Sequence, residues 1–296
     1  MQEIRVNSWN ELIDSLYEES WQPGLGRYRS DFAFRGVSSA TYSSLKTSLM
    51  RLGGPFAQLE PHLLRNFRKY AHLEIVDAVP QPFDSTWYWL ALAQHHGLPT
   101  RMLDWSYSPF VAMHFATASL EQLDCDGVIW CVNYVKPRQF LPQRLRTVLN
   151  EEGANVFTAE MLARGATSLP EFDALARETG EERDFVVFFE PPSLDARIVN
   201  QFALFSLMSS PSLALDEWLR EHPDLLRRII IPADLKWEIR DKLDQANITE
   251  RVLFPGLDGL SSWLRRQYSP KQATSLDDAE SPGEHTTAKH IPTEQG

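Results

Sequence analysis

Between Gln94 and Asp104 the chain reads Gln-His-His-Gly-Leu-Pro-Thr-Arg-Met-Leu-Asp, with Ser108 just beyond, so groups that titrate or hydrogen-bond crowd one short connection. His95 and His96 offer imidazoles for proton transfer or stacking. Asp104 offers a carboxylate, Arg101 a fixed cation, and Thr100 and Ser108 hydroxyls. The plainer reading of Arg101 beside Asp104 is an ion pair that ties the connection together. Metal binding is not expected, because His-His with Asp104 lacks the spaced partners of a zinc site and no HExxH pattern accompanies it. Elsewhere, Arg35 stands in a short strand pattern before Gly36, a cation next to backbone that a ligand can approach. Arg197 and Gln201 lie one helical turn apart, so one pocket can receive an anion-reading guanidinium and an amide-reading amide. Glu190 or Asp195 would be the local partner of Arg197 otherwise. Glu250 is a second candidate carboxylate; with Arg251 after it, it also reads as a surface residue. Neither a GxSxG elbow, a Walker loop nor GxGxxG is present.

The elements around these residues follow from pattern. Thr86 to Ala93 (TWYWLALA) is apolar and aromatic enough for a buried helix capped by Asp84, Ser85 or Thr86, and Gly97 ends it. Ser108 followed by Pro109 is an N-cap with proline at N1, which predicts a second helix from Pro109 to Leu120. The polar residues are therefore expected on a helix-to-helix loop held at both ends. Upstream, Val6 to Glu19 reads as a helix capped by Ser8, Asp31 to Gly36 as a strand, and Gln58 to Val79 as a helix. After Gly127 the runs VIWCVNYV, DFVVFFEP, LFSLM and RRIIIP are rich in β-branched and aromatic residues and read as strands. Ala233 to Gln245 reads as an amphipathic helix. Helices cluster early and strands late, so the fold class is α+β: a helical N-terminal half on a small mixed or antiparallel sheet formed mainly by the C-terminal half.

A chain of 296 residues with 43% hydrophobic content can bury a sizeable core. One domain over residues 1–267 is expected, with 142–180 a helical insertion capping one face. From Tyr268 onward Ser, Thr, Pro, Gly and charge replace the apolar periodicity, and residues 268–296 are expected to be a disordered tail. Cys125 and Cys131 are too few for a disulfide scaffold, no basic-then-apolar leader opens the chain, and no run is long enough to span a bilayer. A soluble protein of the cytoplasm is expected, away from membranes. The net charge of −11 argues against broad non-specific nucleic-acid binding, although a local basic cleft is compatible with it.

Phe34-Arg35-Gly36, the QHHGLPTRMLDW block with SPFVAMHFA, Arg197-Ile198 with Gln201 to Phe205, and Leu253 to Leu260 (LFPGLDGL) occur in an order that resembles the bacterial FRG domain family over roughly residues 30 to 264. The chain departs from that family's usual pattern at Ala203, where a glycine is usual, and at Gly256, where an acid is usual. The order of an aromatic-Arg-Gly strand, a polar Ser/Thr segment entering an apolar helix, and an acid before a Val-Leu-x-Pro strand also resembles arginine-type ADP-ribosyltransferases. Arg251, where the acid is usual, departs from that pattern.

The second resemblance implies NAD as substrate. Arg35 and Gly36 would then bind the cofactor with His96, Thr100, Arg101, Ser108, Arg197 and Gln201, while Asp104 or Glu250, together with His95, would carry the catalysis. The chemistry suits these groups, since a carboxylate stabilises the oxocarbenium-like centre formed when the nicotinamide–ribose bond breaks. The acceptor would be RNA, DNA or protein, the setting a bacterial toxin or phage-defence effector, and a neutralising antitoxin protein a further partner. The rival expectation is a non-catalytic module that binds a nucleotide-like ligand or a protein. Both require Arg35, His95, Thr100, Arg101, Asp104 and Gln201 to line one cavity.

Overall fold

The computed structural model describes residues 2–42, 44–71, 74, 85–178 and 183–270. In chain order its elements are β1 (Gln2–Arg5), α1 (Trp9–Tyr17), β2 (Trp21–Gln22), β3 (Arg27–Tyr28), β4 (Phe32–Val37), α2 (Ser48–Leu52), α3 (Phe56–Ala71), α4 (Thr86–His95), β5 (Met102–Ser106), α5 (Pro109–Thr117) and β6 (Gly127–Asn133). There follow α6 (Gln143–Glu152), α7 (Ala159–Gly165), α8 (Leu169–Ala174), β7 (Val186–Phe189), α9 (Ala196–Asn200), β8 (Ala203–Met208), α10 (Leu215–Arg220), β9 (Leu226–Ile231), α11 (Lys236–Gln245), α12 (Glu250–Leu253) and α13 (Leu257–Gln267). Among the described residues, seven strands form one mixed sheet in the order β1-β9-β6-β4-β5-β8-β7, parallel only between β1 and β9. The fold is α+β. Four of these strands come from the N-terminal half, which supplies central β4 and its neighbours β5 and β6, and three from the C-terminal half, so the expectation of a sheet formed mainly by the C-terminal half is corrected.

Sequence pattern accounts for most of this. Val128, Trp130 and Val132 of β6 face one core while Ile129 and Cys131 face another, so a strand covered on both sides reads as an unbroken apolar run. Ser85 and Ser108 accept from Tyr88 and Val111 amides and so start α4 and α5, as expected. One expectation is corrected: the connection between those helices is not all loop, because Met102 to Ser106 forms β5, paired with β8 throughout. Its Leu103 and Trp105 are buried on one side and the exposed Asp104 interrupts the run, which hides the strand in the sequence. Strand β1 (QEIR) carries no apolar run either, being polar and at the sheet edge. The helix expected over Gln58 to Val79 is α3 as far as Ala71; its last residues lie largely outside the described set. The proposed tail lies outside the described residues from 271 onward.

Three apolar clusters organise the layers. One face of the sheet carries a continuous cluster drawn from all the strands but β1, with α10 on it. The other face carries two separate clusters. α1, α5 and α11 cover β4, β6 and β9, whereas α4, α6, α7 and α8 cover β5, β7 and β8. The insertion between β6 and β7 is thus the helical cover of one half-sheet.

Candidate functional site

The two half-sheets meet between β4 and β5, and there the ladder has one registered pair, Phe34 with Ser106. By contrast β4 runs beside β6 for six pairs and β5 beside β8 for five. The strands therefore diverge past Phe34, and carbonyls that would pair across a closed sheet need other donors. Arg35 supplies one: its Nη1 donates to the Asp104 main-chain oxygen at 2.7 Å. A cavity of about 260 Å³ opens at this seam, on the face where the two helical layers abut.

Pleat parity decides what enters it. Phe34 and Gly36 of β4, Asp104 and Ser106 of β5, and Ala203 and Phe205 of β8 point to the same face. Phe34, Val111 and Phe205 make an apolar floor, each almost fully buried, while Trp105 borders the cavity from a strand position whose side chain packs on the other face. Over it, α4 delivers Gln94 and His95 from its last turn, and α9 delivers Arg197, Ile198 and the adjoining Gln201. The Arg35 side chain is 25% exposed and its nearer nitrogen lies 3.9 Å from Asp104 Oδ2. Burial lowers the pKa of this guanidinium and Asp104 opposes the shift; an arginine remains charged through such a change. The Asp104 side chain is 58% exposed, so a ligand can reach it. Gln94 Nε2 donates to both of its oxygens at 3.0 Å, and Thr100 Oγ1 donates at 2.5 Å to Gln94 Oε1, fixing which end of that amide faces the acid. His95 Nε2 lies 2.8 Å from Asp195 Oδ2. Burial raises the Asp195 pKa, yet the Ile198 amide and His95 outweigh it, and the carboxyl sits below its ordinary range.

Of the residues expected at one site, Arg35, Gly36, His95, Asp104, Arg197 and Gln201 line the cavity. Thr100 stands behind Gln94. Arg101 is corrected: its buried guanidinium binds Glu60 at 2.6 Å and Asp173 at 2.5 Å, not Asp104, and it faces a different cavity. His96 is exposed and stacks edge-on against His95. Ser108 caps α5 and does not line the cavity. Gly36 is small for a reason other than a ligand, since a Cβ there would lie 1.8 Å from the Ala112 carbonyl oxygen; what approaches is helix α5. Arg197 stacks over Phe254 at 5.1 Å, and Gln201 Nε2 donates to the Leu253 carbonyl.

Glu250 is neither at the surface nor in this cavity. It is buried at the start of α12, bound by Arg266 at 2.7 Å and Arg240 at 3.2 Å, and Arg240 in turn lies 2.8 Å from His114 Nδ1. Burial would raise its pKa, but the Arg266 and Arg240 guanidinia hold it down to about 2. Asp195, expected as a local partner of Arg197, pairs its carboxylate with His95 instead, and the role of Gln94 at the head of the polar block has no signature in the sequence. The Ser-Leu-Asp-Ala run before Arg197 is a helix N-cap signature that places Asp195, but nothing local pairs it with a histidine a hundred residues away.

At the positions of departure, Ala203 lies in β8 opposite Ser106, with no need of a glycine backbone. The strain falls one residue earlier, where Phe202 adopts φ 48° and remains exposed. Gly256 has φ 112°, a conformation that a side chain there would strain.

Among the described residues no cluster of His, Cys, Asp and Glu could hold a metal ion, and no helix is long and apolar enough to cross a membrane. Residues 30–125 match the FRG domain family, about a third of the chain, and include β4, α4, β5 and α5 with Arg35, His95 and Asp104. No curated protein and no solved structure matches the chain.

Proposed function

From an FRG domain that contributes Arg35, His95 and Asp104 to one cavity, we propose that the chain is an NAD-consuming ADP-ribosyltransferase. The observation that carries this reading is the convergence, at the mouth of an apolar pocket, of a fixed cation, an accessible carboxylate and a carboxylate-backed imidazole. At about 260 Å³ the cavity falls below the roughly 300–1,000 Å³ of sites that enclose a drug-sized ligand, so it takes a ring and its sugar, not a whole dinucleotide. The apolar floor receives the nicotinamide. Asp104 faces the ribose carbon that becomes cationic as the glycosidic bond breaks, and its electron pair leaves with nicotinamide. The acceptor nucleophile then bonds to that carbon and gives up its proton, for which the His95–Asp195 pair is the base. Glu250, tied to Arg240 and Arg266, has no part in this scheme.

We place the activity in a bacterial toxin or phage-defence role, because depleting NAD or modifying RNA, DNA or protein damages a cell, and such a role calls for a neutralising partner in the cytoplasm. The test is direct: purified protein with NAD and cell extract should release nicotinamide, measured by chromatography, and wild-type protein that releases none overturns the reading. A second reading, a module that binds a nucleotide-like ligand without turnover, has one observation in its favour. Gln94 satisfies both Asp104 oxygens. NAD binding by calorimetry with no nicotinamide release would select it.

A further inference from the structure

On the other side of Arg35 lies a second space, about 640 Å³. Its described polar lining is Arg35, Thr41, Tyr42, Ser44, Lys46 and Arg51: three cations, three hydroxyls and no carboxylate. In a chain of net charge −11 that composition is a local inversion. Lys46 and Arg51 are exposed and neither has a carboxylate partner among the described residues; the hydrogen bond that Arg51 makes is to the Lys46 carbonyl at 2.8 Å. Like charge is felt between them, because Arg51 adds to the effect of burial in lowering the Arg35 pKa. The backbone that carries them is nevertheless fixed. Leu45, almost fully buried, donates its amide to Asp216 at 2.8 Å, Thr47 caps α2, and the Leu49 amide donates to the Thr100 carbonyl just before β5. Buried Leu45 and Thr47 leave Lys46 between them pointing out.

We propose that this groove is a pyrophosphate subsite, in which Lys46 and Arg51 hold the phosphates of a nucleotide whose other half enters the smaller cavity. The inference rests on reading that cavity as a nucleotide site. Of the three converging cations only Arg35 has a carboxylate near it, Asp104 at 3.9 Å, so the cluster is self-repelling in the free protein and a diphosphate relieves that repulsion. Arg35, which walls both spaces, is then the residue between the phosphates and the reacting sugar. The groove lies on the side of Val37 and Leu45, toward the opposite sheet face from the cavity, and the two spaces have Arg35 in common beside the open seam between β4 and β5.

The experiment is calorimetric titration of the full chain with ADP and AMP, for wild type, Lys46→Gln, Arg51→Gln and the double variant. Wild type is expected to bind ADP more tightly than AMP, each single substitution to weaken ADP at least tenfold, and the double substitution to abolish its binding, all with unchanged melting temperature. If Arg51→Gln melts lower, Lys46→Gln carries the test, since the Lys46 ammonium has no hydrogen bond or ion pair among the described residues. Unaltered ADP affinity in these variants overturns the proposal, as does a dependence on Lys46 and Arg51 for a single-stranded oligonucleotide but not for ADP. ADP binding that depends on both, without nicotinamide release, keeps the subsite and removes the transferase; nicotinamide release with an unchanged KM in both variants does the reverse.

Discussion

Arg35 and Asp104 touch through a main-chain oxygen, yet they should fail differently when altered. Arg35 would contact NAD in the ground state and the transition state alike, whereas a carboxylate facing a developing cation acts mainly in the transition state. Arg35→Ala is expected to weaken NAD binding by roughly 1.5–3 kcal/mol, the value of a hydrogen bond to a charged group, about ten- to a hundredfold in affinity. Asp104→Asn should keep the affinity and lose turnover. Calorimetry for binding and nicotinamide release for turnover separate the two, and equal losses in both quantities for both variants would contradict these roles. Asp195→Asn should lower turnover while leaving NAD affinity near wild type, because its contact is with His95 and not with the cavity. At this scale the sequence was readable where the signal is local. The polar block from Gln94 to Asp104 marked the site, but parity along β5 and the turn before it decide which of its members face inward. Arg101 turns instead into Glu60 and Asp173, residues from helices far off in sequence.

Helix α5 and strand β4 lie closer than two ordinary elements can. The ideal Cβ at Gly36 would meet Ala112 O at 1.8 Å and Ala116 N at 2.6 Å, both backbone atoms that cannot turn aside. Gly36→Ala is therefore expected to push α5 off the sheet at a cost of roughly 2–3 kcal/mol, a fall of about 5–10 °C in melting temperature for a chain of this size. A melting curve within 1 °C or so of wild type would show that α5 can shift freely. Elements with long uniform patterns, α4, α5, β6, β8 and β9, were legible from periodicity and caps. Short or polar ones were not: β1 is paired along one side only, and β5 carries Asp104 in its middle, so neither has the apolar run that burial on both faces writes into a strand. The closeness of α9 to α4, which completes the site through His95 and Asp195, is a property of the tertiary arrangement and has no local signature.

Acid should unfold this molecule from an internal point. His114 is fully buried, and burial with the nearby Arg240 lowers its pKa to about 3, against an ordinary value of 6.5. The unfolded chain thus takes up a proton below pH 6.5 that the folded chain refuses, and stability falls as pH drops from there toward 3. Glu250, at about 2 against 4.5, adds a second loss that begins near pH 4.5 and runs toward 2. Together the two groups should remove on the order of 5 kcal/mol by pH 3. Urea midpoints measured from pH 7 to pH 4 should decline, and Glu250→Gln, though less stable at neutral pH, should show a shallower slope below 4.5; a flat profile would contradict the assignment. α5, α11, α12 and α13 share this network, so its loss releases one helical layer and not the other. That asymmetry bears on the seam at the middle of the sheet. Two halves joined along their ladder by one residue pair, each with its own helical cover, need not open together. Deuterium should therefore enter the amides of β4 and β5 that face the divergence well before those of β6 and β9, and a nucleotide lodged against Arg35 should slow that entry on both sides at once. The guanidinium would then work as a fastener across the seam on the side where the helical cover is divided, and the occupied protein should resist proteases and heat better than the free one.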